Sequence, residues 1–280
     1  MVSNEAKRDK AAYTLARAFL LELPIEGVTE GLLEKYLHHT EKDSRPNSIE
    51  EIYRRILESA QNANIKAGVI GRAIAGVGKL KKPLCGFRPK QVVMKYQSGW
   101  EQVLDEIERH LKPEGRFRRT SRSIWPGFCR TIMSAAQFML QSDSADEFYK
   151  WVDFFDKDDK ARPALPMLLN CEIHGLGFAL ACDFLKELGY ANYAKPDVHV
   201  RYIFQELGLC SPKAGDYQVF KAVVRAAKNV GVTPYNVDKL FWLIGSGYIY
   251  DDPHIGVGGR TGSHKKPFIA YAQQHLSKLV

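Results

Sequence analysis

The chain predicts an all-α protein, and three observations carry that prediction. Apolar residues recur at three-and-four spacing in seven separate stretches. Prolines stand around those stretches, and no alternating run with hairpin punctuation is long enough to suggest a sheet. In chain order the first helix covers 11–23 and stops at Pro24; the second, 49–60, follows Pro46; the third, 100–111, lies between Pro83 and Pro113. A fourth is expected over 129–140 after Pro126, with Pro163 breaking the chain before the next. Helices over 178–188, 198–207 and 217–230 follow, set off by Pro196, Pro212 and Pro234, and Pro267 suits the first turn of a last helix.

Composition narrows the class. With 280 residues, 45% of them hydrophobic, the chain can bury a sizeable core. The start, MVSNEAKRDKAAY, has no signal-peptide core, and no apolar stretch approaches the roughly 18 residues of a membrane span, so a cytoplasmic protein is expected, nucleoid-associated if bacterial. Cys85, Cys129, Cys171, Cys182 and Cys210 form no CxxC pair or cluster, which argues for reduced thiols, mostly in the core, and against zinc or an iron-sulfur site. No metal or cofactor is expected. The net charge is +8, and the segment 79–122 holds twelve Lys/Arg against five Asp/Glu, nearly the whole excess. Such local bias suits a polyanion. The division expected is a helical region over 1–120, basic toward its end; a core over 121–250; and a glycine-rich basic loop with a final helix over 251–280.

The block CEIHGLGFALACDFLKELGYANYAKPDVHVRYIFQELGL, residues 171–209, carries the chemistry. Gly175 and Gly177 flank Leu176 between helical segments, a tight helix-hairpin-helix turn. Glycine there permits positive φ and removes bulk, so that backbone N–H groups and the next helix start can face an anion such as a phosphate. After twenty more residues Asp197 falls at the N-cap of the helix over 198–207. Alone, a GxG is a turn and such an Asp is a cap.

Together they resemble the helix-hairpin-helix DNA glycosylase superfamily (HhH-GPD type), whose hairpin reads L-P-G-V-G-x-K-T-A and whose V-D-T-H-V segment supplies the catalytic aspartate. Here the hairpin is Ile173 to Ala181 and the later segment Pro196-Asp197-Val198-His199-Val200, at the family's usual separation. The likeness extends over 124–247: the run Trp125 to Gln137 looks like the family's early core helix, and Val237 to Trp242 like a closing helix. Residues 1–120 match nothing in the family. It implies a two-lobed helical glycosylase fold with an additional N-terminal region.

The resemblance implies a monomeric enzyme that binds duplex DNA, flips out a damaged or modified base and hydrolyses its N-glycosidic bond. Asp197 would be the catalytic carboxylate, flanked by Lys195 and His199. His174, Gly175, Leu176 and Gly177 would hold DNA, with Gln137 near the duplex and Arg116, Arg118, Arg119 and Arg122 along its backbone. Lys79, Lys81 and Lys82 join the backbone candidates; Arg260, Lys265 and Lys266 form a further phosphate-facing group. Trp125, Phe128, Trp151, Tyr202 and Trp242 are candidates for the base pocket. Ala179 stands where bifunctional members carry their nucleophilic lysine, so a monofunctional enzyme is expected. Two rivals remain: a non-catalytic hairpin DNA-binding protein, and a glycosylase-lyase using another lysine. AGVGKLKK, near Gly76, repeats the hairpin theme superficially and is read as a helix end, since Pro83 intervenes.

Overall fold

The computed structural model describes residues 3–38, 45–63, 68–248 and 262–279. The described residues form fourteen α-helices and two short 3-10 turns, with no strand. No helix among them is long and apolar enough to cross a membrane. The chain forms two compact units, residues 1–41 with 189–280, and residues 42–188.

This division differs from the expected breaks at 120 and 250. In the second unit α3 (Ile49–Ala60), α5 (Pro89–Lys95) and α6 (Trp100–Leu111) all pack on α7 (Ile124–Met139). Residues on both sides of the arginine-rich 115–123 segment therefore share one core. The stripe Ile52, Tyr53, Ile56, Leu57 and Ala60 is buried as its spacing predicts, and the Tyr53 hydroxyl donates to the Ile132 carbonyl at 2.9 Å. Pro126 lies inside α7 rather than before it. Three residues into a helix the missing N–H costs nothing, because first-turn N–H groups have no helical acceptor. The unit continues with α4 (Val69–Ala73), α8 (Ala145–Asp156), α9 (Ala164–Glu172) and α10 (Phe178–Glu187). Phe148 and Phe184, both buried, meet at 6.3 Å between ring centroids.

The first unit contains α1 (Asn4–Glu22), α2 (Glu30–Leu37), α11 (Val198–Glu206), α12 (Asp216–Val230), α13 (Pro234–Ser246) and α14 (Lys265–Leu279). Ser3, Thr29 and Thr233 cap α1, α2 and α13 through their hydroxyl oxygens, and Pro234 opens α13 at a position where no N–H is needed. Helix α1 packs on α12, α13 and α14. Its Asp9, 1% exposed, accepts from Arg225 at 2.9 and 3.0 Å and from Asn229 at 2.7 Å; its Tyr13 hydroxyl donates to Asn236 Oδ1 at 2.7 Å. A buried carboxylate is tolerated only with such full pairing.

None of the five cysteines is in a disulfide; Cys129 and Cys182 are buried, Cys171 is exposed, and Cys85 and Cys210 are half-buried. Arg260 and the loop 249–261 lie outside the described residues, while Lys265 and Lys266 sit in the first turn of α14.

Candidate functional site

In the second unit α9 ends at Glu172 because Ile173 turns extended (φ −114°, ψ 111°) and Gly175 enters the left-handed region at φ +78°. Leu176 N–H donates back to the Ile173 carbonyl at 3.1 Å, and His174 N–H donates to Ser134 Oγ on α7 at 2.9 Å. Ile173 and Leu176 are fully buried, so the turn is anchored by the apolar residues on either side of Gly175. Leu176 thus offers backbone, not side chain, to any ligand. A Cβ on Gly175 would stand 3.0 Å from Thr131 Oγ1, a second demand for glycine beyond its φ.

Gly177 differs. Its φ is −59°, and a Cβ there would meet nothing within 4 Å. It is the N-cap of α10 with no side-chain cap, and the first ladder bond, Ala181 N–H to the Gly177 carbonyl, is 2.9 Å. The N–H groups ahead of that bond have no acceptor within the helix. Positive φ is therefore needed at one glycine and open approach is offered at the other.

His174 and Gly175 share a pocket of about 230 Å³ with Arg122, Phe128, Thr131 and Ile70. Arg122 is exposed at its mouth, as are Arg116 and Arg118 along the preceding connection. Arg119 is held by Asp105 and Glu108, which neutralise it. Gln137 is exposed in the last turn of α7.

The candidate aromatics separate by packing. Trp125 is buried against Phe117, and Trp151 packs among Phe138, Phe148 and Phe155, so both serve the core of the second unit. Phe128 is also buried but walls the pocket just described. Tyr202 and Trp242 belong to the first unit. Tyr202 is 37% exposed with Lys265 Nζ 5.5 Å from its ring, and Trp242 is half-buried with Lys239 Nζ 4.6 Å from its ring.

Asp197 also lies in the first unit. The 190–196 segment leading to it buries Tyr190, Tyr193, Ala194 and Pro196. Tyr235 N–H donates to the Ala191 carbonyl at 2.9 Å, and Lys195 N–H to Asp238 Oδ2, also at 2.9 Å. Across Pro196, Asp197 N–H turns back to the Lys195 carbonyl at 2.8 Å, a three-residue turn that sets the aspartate's backbone. Asp197 Oδ1 then accepts from His199 N–H at 2.8 Å and Val200 N–H at 2.9 Å. One oxygen performs the cap. Among the described residues Oδ2 accepts no hydrogen bond, and the side chain is half-exposed, which leaves a fixed carboxylate oxygen for a ligand.

His199 packs beneath this cap. A Cβ on Gly245 would stand 2.4 Å from His199 Cβ, so a glycine is what lets α11 and α13 approach so closely. His199 Nδ1 is buried without a hydrogen-bond partner. Burial lowers the imidazole pKa, the Asp197 carboxylate opposes that shift, and Lys265 and Lys195 add to it. Sequence reasoning missed Ser134, Thr131, Asp238 and Gly245. Only Gly245 left a signal, as an isolated glycine inside an apolar helical pattern.

No family model and no curated protein matches the chain. Among solved structures it is similar to the Methanocaldococcus jannaschii 8-oxoguanine glycosylase/lyase in complex with a 15mer DNA containing 8-oxoguanine. The TM-score is 0.45 at 16% identity, over 76% of this chain and 89% of that one. A likeness of that size assigns no activity to this chain.

Proposed function

We propose that this protein is a DNA glycosylase of the helix-hairpin-helix kind. The observation that carries the reading is the division of labour in the Asp197 carboxylate: Oδ1 is spent on the helix cap, while Oδ2 is rigidly presented and unclaimed. A carboxylate so placed can stabilise the positive charge that builds on deoxyribose as the base departs, and can orient the water that adds to C1′. The bond between C1′ and the base nitrogen breaks, the base leaves with that electron pair and a proton, and an abasic sugar remains. The hairpin supports the same reading, since Gly177 leaves the first N–H groups of α10 open to a backbone phosphate.

More narrowly, the enzyme is monofunctional and acts as a monomer on duplex DNA. Ala179 has no amine with which to form a Schiff base at that position, so strand cleavage is not programmed there. His174, Gln137, Arg116, Arg118 and Arg122 remain the side chains proposed to meet the duplex; Arg119, tied to two acids, meets it less freely. Tyr202, on the helix that Asp197 caps, has the exposed ring surface that stacking a flipped base requires; Trp242, half-buried, and Phe128, at the hairpin pocket, remain further candidates. The test is to incubate the protein with duplexes each carrying one oxidised, alkylated or deaminated base, then heat in alkali. Strand breaks that appear only after alkali, with no adduct trapped by borohydride, support the reading. No break on any duplex refutes catalysis, and a borohydride adduct refutes the monofunctional assignment.

A further inference from the structure

Residues 59–100 contain eight Lys/Arg and no Asp or Glu. Of these, Arg72, Lys79, Lys81, Lys82, Arg88 and Lys90 are exposed, and none of the six forms an ion pair among the described residues. Glu114 reaches this segment only through its backbone N–H, which donates to the Ala73 carbonyl at 2.9 Å. Within it lies a turn built like the hairpin. Gly76 takes φ +102°, Val77 is buried, and a Cβ on Gly78 would meet nothing within 4 Å. Gly175, Leu176 and Gly177 show the same sequence of positive φ, burial and open space. The two turns differ in charge. From 163 to 185 the chain has no Lys or Arg at all, whereas Gly78 is followed by Lys79, Lys81 and Lys82. Ile70, on the helix that precedes the turn over 76–82, lines the same pocket as His174 and Gly175, and both turns belong to the second unit.

Backbone N–H groups position a phosphate, but the bulk of affinity for DNA comes from cations that displace its counterions. The hairpin carries none. We propose that the turn over 76–82 is a second duplex-DNA contact, in which Lys79, Lys81 and Lys82 supply the electrostatic grip that the hairpin, with no Lys or Arg of its own, lacks. This rests on the reading of the protein as a DNA-binding glycosylase. The AGVGKLKK motif is then a binding element, not merely a helix end.

The experiment measures binding of the full chain to an unmodified duplex across 50 to 200 mM salt, for the natural protein and for the triple variant Lys79→Gln, Lys81→Gln, Lys82→Gln. Loss of three phosphate contacts lowers the slope of log K against log salt by about 2.7, which over this range is about a 40-fold smaller loss of affinity. A control triple, Lys150→Gln, Lys157→Gln, Lys160→Gln, changes net charge equally, and its slope should stay near that of the natural protein. Thermal midpoints for all three proteins verify folding. An unchanged slope in the first triple, or an equal drop in the control, overturns the proposal while leaving the glycosylase reading intact. If the natural protein shows no salt-dependent binding, the reading beneath it fails as well.

Discussion

Replacing Asp197 separates the cap from the proposed chemistry, because Oδ1 makes the cap and the proposal assigns Oδ2 to the reaction. Asp197→Asn keeps an amide oxygen where Oδ1 accepts from His199 and Val200, so the cap survives and stability should change by less than about 1 kcal/mol. The charge does not survive. A carboxylate about 4 Å from a developing unit positive charge, at the effective dielectric of about 20 suited to a half-exposed site, contributes about 4 kcal/mol, or roughly three decades in rate. Asp197→Ala removes cap and charge together; it should show the same loss of rate plus about 1 to 2 kcal/mol of stability, some 2 to 8 °C in Tm. Single-turnover base release on whichever modified duplex the natural protein cleaves, read by alkaline strand scission, measures the first effect. Thermal unfolding measures the second. If Asp197→Asn releases base at near the natural rate, Asp197 is a cap and nothing more.

The hairpin glycines should respond in opposite ways. Gly175→Ala, forced to φ +78° and against Thr131, should cost about 1 to 2 kcal/mol in denaturant unfolding, whereas Gly177→Ala should cost less than about 1 kcal/mol yet weaken duplex binding. Equal stability losses would contradict the turn described. Gly245→Ala drives a methyl into His199 and should destabilise by about 1 to 3 kcal/mol while slowing base release, because the helix that Asp197 caps must shift; an unchanged Tm would show that the helices yield freely. The lowered pKa of His199 makes the unfolded chain the better proton binder, so its contribution to stability is complete above about pH 6.5 and is lost as pH falls through the folded value. Tm measured from pH 8 to 5 should decline less steeply in His199→Gln than in the natural protein, and parallel curves would remove His199 as the cause.

Helices with a clean apolar stripe were readable from the chain: 49–60 and 100–111 coincide with α3 and α6, and 198–207 with α11 to within one residue. Helix α8 was missed although its start was written in Ser144-Ala-Asp-Glu147, where Glu147 N–H donates to Ser144 Oγ at 3.2 Å and Glu147 Oε2 accepts from Asp143 N–H at 2.7 Å. Its aromatic-rich face blurs the periodicity that a stripe of aliphatics makes plain. Helix α9, implied ahead of the hairpin, was given no bounds by the chain: Pro163 reads as a breaker but falls at its cap, and Pro166 falls in its first turn. The division into units was not legible, since the Asp9 to Arg225 and Tyr13 to Asn236 bonds join residues more than 200 positions apart, and nothing local announces them. In the site, the spacing of Gly177 and Asp197 was legible. The difference between the two hairpin glycines was not, because it depends on Thr131, which reaches Gly175 from another helix.

The partnership of α1 with α12, α13 and α14 has a consequence during synthesis. A ribosome adding about 5 to 20 residues per second needs on the order of 10 to 40 s to reach Arg225 after completing Asp9. Until residue 216 and those after it are made, Ala12, Leu15, Ala16 and Leu20 have none of their partners on α12 to α14, whereas residues 42–188, contiguous in sequence, have everything their own core requires once Leu188 is in place. The turns over 76–82 and 173–177 can therefore form on the nascent chain before the unit that holds Asp197 closes. Nascent chains stalled once residue 188 has emerged from the ribosome should already resist protease across 45–188 and remain cleavable within α1, which makes the order of assembly observable.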